Sequence, residues 1–365
     1  MRISKNPVSV SLMSTIGQWV HRHHTATYAI IAVLVVTIAA LVSLVFLYKQ
    51  PTEQATSSTT TKRQIPEPVR YYSPLTGMQV PTEPETKRAV TAIMLENSPA
   101  ARPQSGLKAA GVVFEAIAEG GVTRFLALYQ QEKPPLIGPV RSLRPYYIDW
   151  LAPFEPSVAH VGGSKLALDE IRNGSYRDID EFFNSQTYWR ASDRYAPHNV
   201  YTSFEKLDAL NQAKGYTDST VSGFMRKDPA PAKTPTATHI TVTISGPPYN
   251  STYTYDATSN SYARSQAGAP HIDREDGPIS PTTVVVLYAT MDRVMEDGYR
   301  ERIQSVGNGR AVIFQDGTAT ETTWHKPSKT SQFTFTDTHD TAIDLNRGQT
   351  WIAVVPTSSG DVSWQ

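Results

Sequence analysis

Apolar and polar positions fall into three regimes along this chain. The first is one unbroken apolar run, Tyr28 to Tyr48 (YAIIAVLVVTIAALVSLVFLY), with only Thr37 and Ser43 as mild polar interruptions. About 21 residues at about 1.5 Å rise reach roughly 31 Å, which matches a hydrocarbon core of about 30 Å, so one membrane-spanning helix is expected. The second regime runs from Lys49 to Arg70 and is polar and low in complexity, with the tract SSTTT and Pro51, Pro66 and Pro68. Such a composition cannot bury enough apolar surface to fold and reads as a disordered tether.

From Tyr71 onward the pattern is that of folded protein. AVTAIML, VVFEAIAE, VTRFLALYQ and SVAHV read as strands, and helices are expected from Leu143 to Leu151 and from Lys165 and Ser203. A stretch with three prolines, KDPAPAKTPTAT, breaks this periodicity and sets a linker at 216–238. Beyond it HITVTIS, STYTYD, TTVVVLYAT, RAVIFQ-DG-TATETTW, SQFTFTD and QTWIAVVP are nearly all strand-like. The expected architecture is α+β: a mixed α/β first domain at 71–215 and a mostly β second domain at 239–365, preceded by a single transmembrane helix at 28–48.

Charge orients the anchor. Arg2, Lys5 and Arg22 precede the apolar run with no acidic residue, whereas Glu53 and Glu67 are mixed with basic residues after it. Residues 1–27 are therefore expected in the cytoplasm and everything after the helix outside it, in the cell envelope. The run is longer than the apolar core of a signal peptide, about 7 to 15 residues, and no small-x-small cleavage site follows, so it reads as an uncleaved signal anchor. Over the whole chain Lys plus Arg (34) equals Asp plus Glu (34), which argues against nucleic acid as a partner. The absence of cysteine excludes disulfides, thiolate catalysis, Cys-ligated zinc and a lipid-bearing Cys anchor. His21, His23 and His24 have no carboxylate or further ligand nearby, so they read as a solvated cluster; no metal or cofactor is expected.

Candidate chemistry starts at VVFEAIAEGGVTRFLALYQ, where Gly120-Gly121 suit a two-residue hairpin turn. Unbroken pairing would set Glu119 opposite Val122, Ile117 opposite Arg124 and Glu115 opposite Leu126, with Glu115, Glu119 and Arg124 on one face. Such charges can be buried only if paired with each other or with a ligand. In IGPVRSLRPYYIDW, Ser142 reads as an N-cap and Pro145 as a first-turn residue, flanked by Arg141 and Arg144. Cations beside the positive end of a helix suggest a bound anion or a protein carboxylate there. SVAHVGGSKLALDEI offers Ser164 as a helix cap and His160 as a half-buried histidine or a base; Leu166 breaks the nucleophile-elbow pattern and the spacing is not that of a P-loop. In APHNVYTSFEKL, Thr202 and Glu205 form a capping box that would hold His198 and Asn199 on a loop before a rigid helix.

The segments SPLTGMQV, ENSPAARPQSGLKAAGVVFEAIAEGGVTRFLALYQ, IGPVRSLRPYYIDW, HVGGS and APHNVYTS resemble the first domain of the YerB-like lipoprotein family. YARSQAGAPHID, VGNGRAVIFQDG, TTWHKPS and DLNRGQTWIAVVP resemble its second domain. The resemblance spans Ser73 to Pro356 and implies a two-domain bacterial envelope protein without an established activity, so it transfers no catalytic residue. Members commonly carry a lipobox cysteine, whose anchoring role the apolar helix would take over here. They carry a further Asn where this chain has Glu96.

Three functions are consistent with these residues. The first is a non-catalytic envelope protein that binds an anionic or cell-wall-related ligand, or an envelope partner, through Arg124, Arg141, Arg144, His160, Ser164, His198 and Asn199. The alternatives are a glycan-processing hydrolase or transferase using Glu115 and Glu119, whose carboxylates would have to stand about 5 to 9.5 Å apart, and a structural partner-binding scaffold.

Overall fold

The computed structural model of the protein describes Gly17, residues 19–48, 69–293 and 300–365. The expected tether at 49–70 lies outside these residues apart from its last two, as do Arg2 and Lys5 of the charge argument. Helix α1 runs from His24 to Tyr48, one turn longer at its start than the apolar run, and none of its residues is buried. It is long and apolar enough to cross a membrane.

The remaining described residues, from Val69 onward, form one compact unit. In chain order its main elements are β1 (Thr91–Glu96), β2 (Val112–Glu119), β3 (Val122–Tyr129), α2 (Pro145–Leu151), β4 (Ser157–Ala159), α3 (Lys165–Asn173) and β5 (Arg177–Asp178). A short hairpin, β6 (Tyr188–Arg190) and β7 (Val200–Thr202), precedes α4 (Phe204–Lys214). Then follow β8 (His239–Thr243), β9 (Ser251–Asp256), β10 (Ser261–Gln266), β11 (Ala269–Pro270), β12 (Thr283–Ala289), β13 (Gly307–Gln315), β14 (Thr318–Lys326), β15 (Thr334–Thr336), β16 (Thr350–Pro356) and β17 (Asp361–Trp364). The first half mixes helices with strands and the second is strand-rich, as the residue patterns imply.

Ten strands make one sheet in the order β15-β14-β13-β12-β16-β2-β3-β1-β4-β5, so residues from both sides of 216–238 share a continuous ladder. The join is the parallel pairing of β16 with β2, which sets Trp351 beside Val113 and Ala353 beside Glu115. One face is covered by the second sheet, β11-β10-β9-β8-β17, and by α4, burying Phe125, Trp351, Tyr253, Tyr262 and Phe204 together. The other face packs Phe114, Leu126, Tyr147, Trp150, Trp324 and Phe333 beneath α2 and α3. Because strand side chains alternate, each central strand contributes to both layers, which is why β1 to β3 read as nearly continuous apolar runs.

Two local expectations change. Arg144, not Ser142, is the N-cap of α2, with extended backbone angles (φ −131°, ψ 153°) and Pro145 at the first helical position, so the helix starts two residues later than Leu143. Ser203 rather than Thr202 caps α4, its hydroxyl accepting from the Lys206 amide, because Thr202 is the last residue of β7. Ser164 does cap α3, accepting from the Ala167 amide.

Candidate functional site

The hairpin that was expected to gather three charges on one face divides them instead. Gly120 and Gly121 form the turn with φ of +56° and +79°, which L residues with side chains rarely adopt. Glu119 opposes Val122, but the register slips between Ile117 and Glu119, so Ala116 faces Arg124 and Glu115 faces Phe125. Ala118 is the extra residue of a β-bulge. The backbone carbonyls around it are taken up by α2: Tyr146 Oη donates to the Ile117 carbonyl at 2.7 Å and Tyr147 Oη to the Arg124 carbonyl at 2.8 Å. The slip sends Glu115 into the inter-sheet layer and Glu119 with Arg124 to the helical side. The paired-carboxylate geometry of a glycosidase is therefore not formed.

On the inter-sheet side Glu115 is sealed. Its Oε2 accepts from Arg264 at 2.7 Å and from the Trp351 indole at 3.1 Å, while Oε1 accepts from Thr123 and Asn97. Arg264 also donates to Nδ1 of the buried His271, whose Nε2 donates to Gln104 Oε1 at 3.1 Å. Burial holds the His271 pKa well below its ordinary value, reinforced by Arg264 and Arg102, so the ring is neutral and can accept at Nδ1. This network of buried side chains ties residues of the two halves together.

On the helical side Glu119 receives Arg124 at 2.7 Å and also pairs with Arg144. Burial opposes ionisation of Glu119, but the two guanidiniums outweigh it and hold the carboxyl below its usual range. Arg124 further donates to the Ser142 carbonyl at 2.8 Å. These two arginines are therefore occupied by a protein carboxylate. His160 is also occupied: fully buried, it contacts Asp178 through Nε2 at 3.0 Å and the Gly162 carbonyl through Nδ1 at 2.8 Å. Asn199 stabilises its own turn, accepting from Arg190 and donating to the Ala191 carbonyl.

The remaining predicted residues, Arg141 and His198, meet at Glu96. His198 Nδ1 lies 2.7 Å from Glu96 Oε1, and Arg141 Nε lies 3.4 Å from Oε2. Glu96 ends β1 and is nearly buried, at 4% exposure. His198 also lines an open cleft of about 350 Å³ with Arg102, Asp193, Arg194, Tyr195 and Arg274. Three loops build its wall: 97–106 after β1, 191–199 between β6 and β7, and 271–277 beyond β11. Arg194 clamps the first two by donating to the Ala100 and Pro103 carbonyls at 3.1 and 2.6 Å. The Arg274 amide joins the third by donating to the Gln104 carbonyl at 2.8 Å. Arg102 is fixed by two bonds to Asn97, and its remaining terminal nitrogen has no hydrogen-bond partner among the described residues. Arg274 pairs with Asp193 at 2.6 Å on the exposed rim.

Arg102, Arg194 and Arg274 were not singled out from the sequence. Each sits in a Pro- or Asp-rich turn, in AARPQ, SDRYAP and DREDG, and a charged residue on a turn is the one local signal that points to them. The cleft borders Glu96 at the carboxyl end of β1, which runs parallel to β4 and antiparallel to β3.

The structure defines a strand-dominated α+β body with a cationic cleft, in a chain whose N-terminal helix fits membrane anchoring. The family described as "Protein of unknown function (DUF3048) N-terminal domain" matches residues 75–217, and its C-terminal counterpart matches 240–352. The chain belongs to this family. It is 31% identical over 298 residues to the Bacillus subtilis (strain 168) protein named "Putative lipoprotein YerB", covering 79% of this chain and 87% of that one. The crystal structure of YerB from Bacillus subtilis superposes with a TM-score of 0.71 at 28% identity, covering 80% of this chain and 99% of that chain.

Proposed function

We propose that this is a membrane-anchored envelope protein that binds an anionic, cell-wall-related ligand in the cleft of Arg102, Arg194, His198 and Arg274. The observation that carries this reading is the surplus of donors at an open surface. Among the described residues three guanidiniums and an imidazole line a space whose rim carries the carboxylate of Asp193, paired with Arg274, which Glu275 also approaches at 3.7 Å. A partly enclosed cleft with an excess of positive groups draws an anion in and raises its local concentration. Guanidiniums hold phosphate and carboxylate oxygens through paired hydrogen bonds.

The anchor reading supports the same setting. Arg22 precedes α1 without an acidic residue in the preceding segment, which favours a cytoplasmic N-terminus, a single crossing and an extracytoplasmic body. The ligand would then be met outside the cell, in the company of acidic wall polymers. Arg124, Arg144 and His160 serve as structural support in this reading, and Arg141 acts through Glu96.

The test is binding of full-length protein in detergent micelles to poly(glycerol phosphate), with neutral glucan as control. Binding that weakens with salt, and falls about tenfold on Arg274→Gln, is expected. Equal binding of the neutral polymer would overturn the reading.

A further inference from the structure

Beneath the cleft, Glu96, Ser98 and His198 form a small polar assembly whose geometry goes beyond holding an anion. Glu96 Oε1 lies 2.7 Å from His198 Nδ1 and accepts from Ser98 Oγ at 2.8 Å. A carboxylate only accepts hydrogen bonds, so the proton of the neutral ring sits on Nδ1 and the lone pair on Nε2. Nε2 has no hydrogen-bond partner among the described residues, and His198 lines the cleft. Ser98 approaches Nδ1 at 3.3 Å, the nitrogen already turned to Glu96, so its hydroxyl is not placed to pass a proton to Nε2. It supports the carboxylate instead of serving as a nucleophile.

Glu96 is held for this task. Its Oε2 is buried with no hydrogen bond, and Arg141 Nε at 3.4 Å is not aligned to donate to it. Through Oε1 the carboxylate fixes the tautomer and the orientation of the His198 ring, with Nε2 turned away from it. The cleft therefore combines an oriented base having a free lone pair with guanidiniums suited to an electrophile that is itself anionic. Arg102 contributes unpaired N–H donors, and Arg194 and Arg274 stand on the facing loops. Tyr195 at the mouth is 92% exposed and presents a ring to an organic substituent.

We propose that this cleft hydrolyses phosphodiesters, with His198 Nε2 as the general base and Glu96 as the positioning residue. The proposal rests on the anion-binding reading of the same cleft. A water oxygen forms a bond to phosphorus and gives its proton to Nε2. The resulting imidazolium is stabilised by Glu96. The arginines take up the charge that develops on the non-bridging oxygens. The bond from phosphorus to the leaving oxygen breaks, its electron pair stays on that oxygen, and the oxygen collects a proton from solvent. The imidazolium then releases its proton to solvent. Diester and water become monoester and alcohol, with no change of oxidation state.

The experiment uses full-length protein in detergent micelles containing EDTA, with bis(4-nitrophenyl) phosphate as probe. Release of 4-nitrophenolate and binding of the same probe by calorimetry are both followed. Wild type is expected to turn the probe over. His198→Asn should lower kcat at least about 100-fold, well beyond the loss of about tenfold or less in probe affinity that removing one lining group brings. Glu96→Gln should lower kcat about 10- to 100-fold and far more than it lowers probe affinity, a split that a purely structural role would not produce. Thermal unfolding checks each variant, and if Glu96→Gln fails to fold, His198→Asn alone decides. Wild type that binds the probe without releasing product, or His198→Asn that matches wild type, would overturn catalysis and leave the binding reading standing. Failure of wild type to bind any phosphate ester would overturn both.

Discussion

Two arginine clusters in this body use the same chemistry to opposite ends. Around Glu115, between the sheets, Arg264, His271, Gln104, Trp351, Thr123 and Asn97 satisfy one another, and the neutral His271 accepts what Arg264 has left to give. In the cleft, Arg102 and Arg194 are fixed by loop carbonyls and Asn97, and Arg274 by the rim carboxylates Asp193 and Glu275, in an arrangement open to solvent. A buried arginine matched to a carboxylate fixes architecture. An arginine oriented by neutral groups, as Arg102 and Arg194 are, keeps its charge for something else. Arg102 and Arg264 lie on the same polar chain through Asn97 and Glu115, so the difference is one of closure, not of composition.

The sealed cluster should give the largest loss when broken. Arg264→Met leaves Glu115 buried without its cation and should destabilise the body by about 3 to 5 kcal/mol, read from the urea midpoint. Should the midpoint stay put, Glu115 is not held by Arg264 as described.

Glu119→Gln comes next, because it leaves Arg124 and Arg144 sharing a neutral amide; about 2 to 3 kcal/mol is expected near neutral pH. The folded carboxyl is held below its ordinary value of 4.5, so its contribution is complete above that value and is lost as the pH falls through the lowered one. The gap in Tm between wild type and variant should therefore close as the pH drops below about 4. A gap that widened on acidification would reverse the sign of the argument.

His271 adds a milder pH effect in a higher window. Its folded pKa lies well below the ordinary 6.5, so the unfolded chain binds the extra proton first and stability declines as the pH falls below about 6.5. His271→Gln should flatten that part of the stability curve in a comparison of urea midpoints at pH 7.5 and 5.5, about one unit either side of the ordinary value. An unchanged slope would show that the ring does not stay neutral.

Smallest in stability is Arg274→Gln, where the side chain is exposed and Tm should shift by less than about 2 °C. Its effect belongs to affinity instead. The contrast between Arg264→Met and Arg274→Gln, one unfolding without being a binding residue and the other binding poorly while folded, is the sharpest form of the comparison.

Much of the framework was legible from residue order. The alternation in HITVTIS and STYTYD, the Gly120-Gly121 turn and the Ser164 cap all appear where local patterns put them. What local patterns could not supply was the bulge at Ala118, because the groups that accommodate it, Tyr146 and Tyr147, come from α2. That one-residue slip reassigns Glu115 and Arg124 to opposite faces. The caps of α2 and α4 moved by one or two residues for a related reason: Ser142 and Arg144, or Thr202 and Ser203, differ in backbone angle and strand membership, not in residue type alone. The cleft was least legible. Arg102 and Arg274 are far apart in the chain, and only the packing of three loops brings them to His198.

The anion cleft is tested by the affinity of full-length protein for poly(glycerol phosphate) across ionic strength, compared with the Arg102→Gln, Arg274→Gln double variant at matched Tm. The account predicts salt-sensitive binding by wild type and a loss of about 100-fold in the variant, two removed guanidinium contacts at about tenfold each. Equal affinity in the two proteins, or no binding by wild type at low salt, would contradict it.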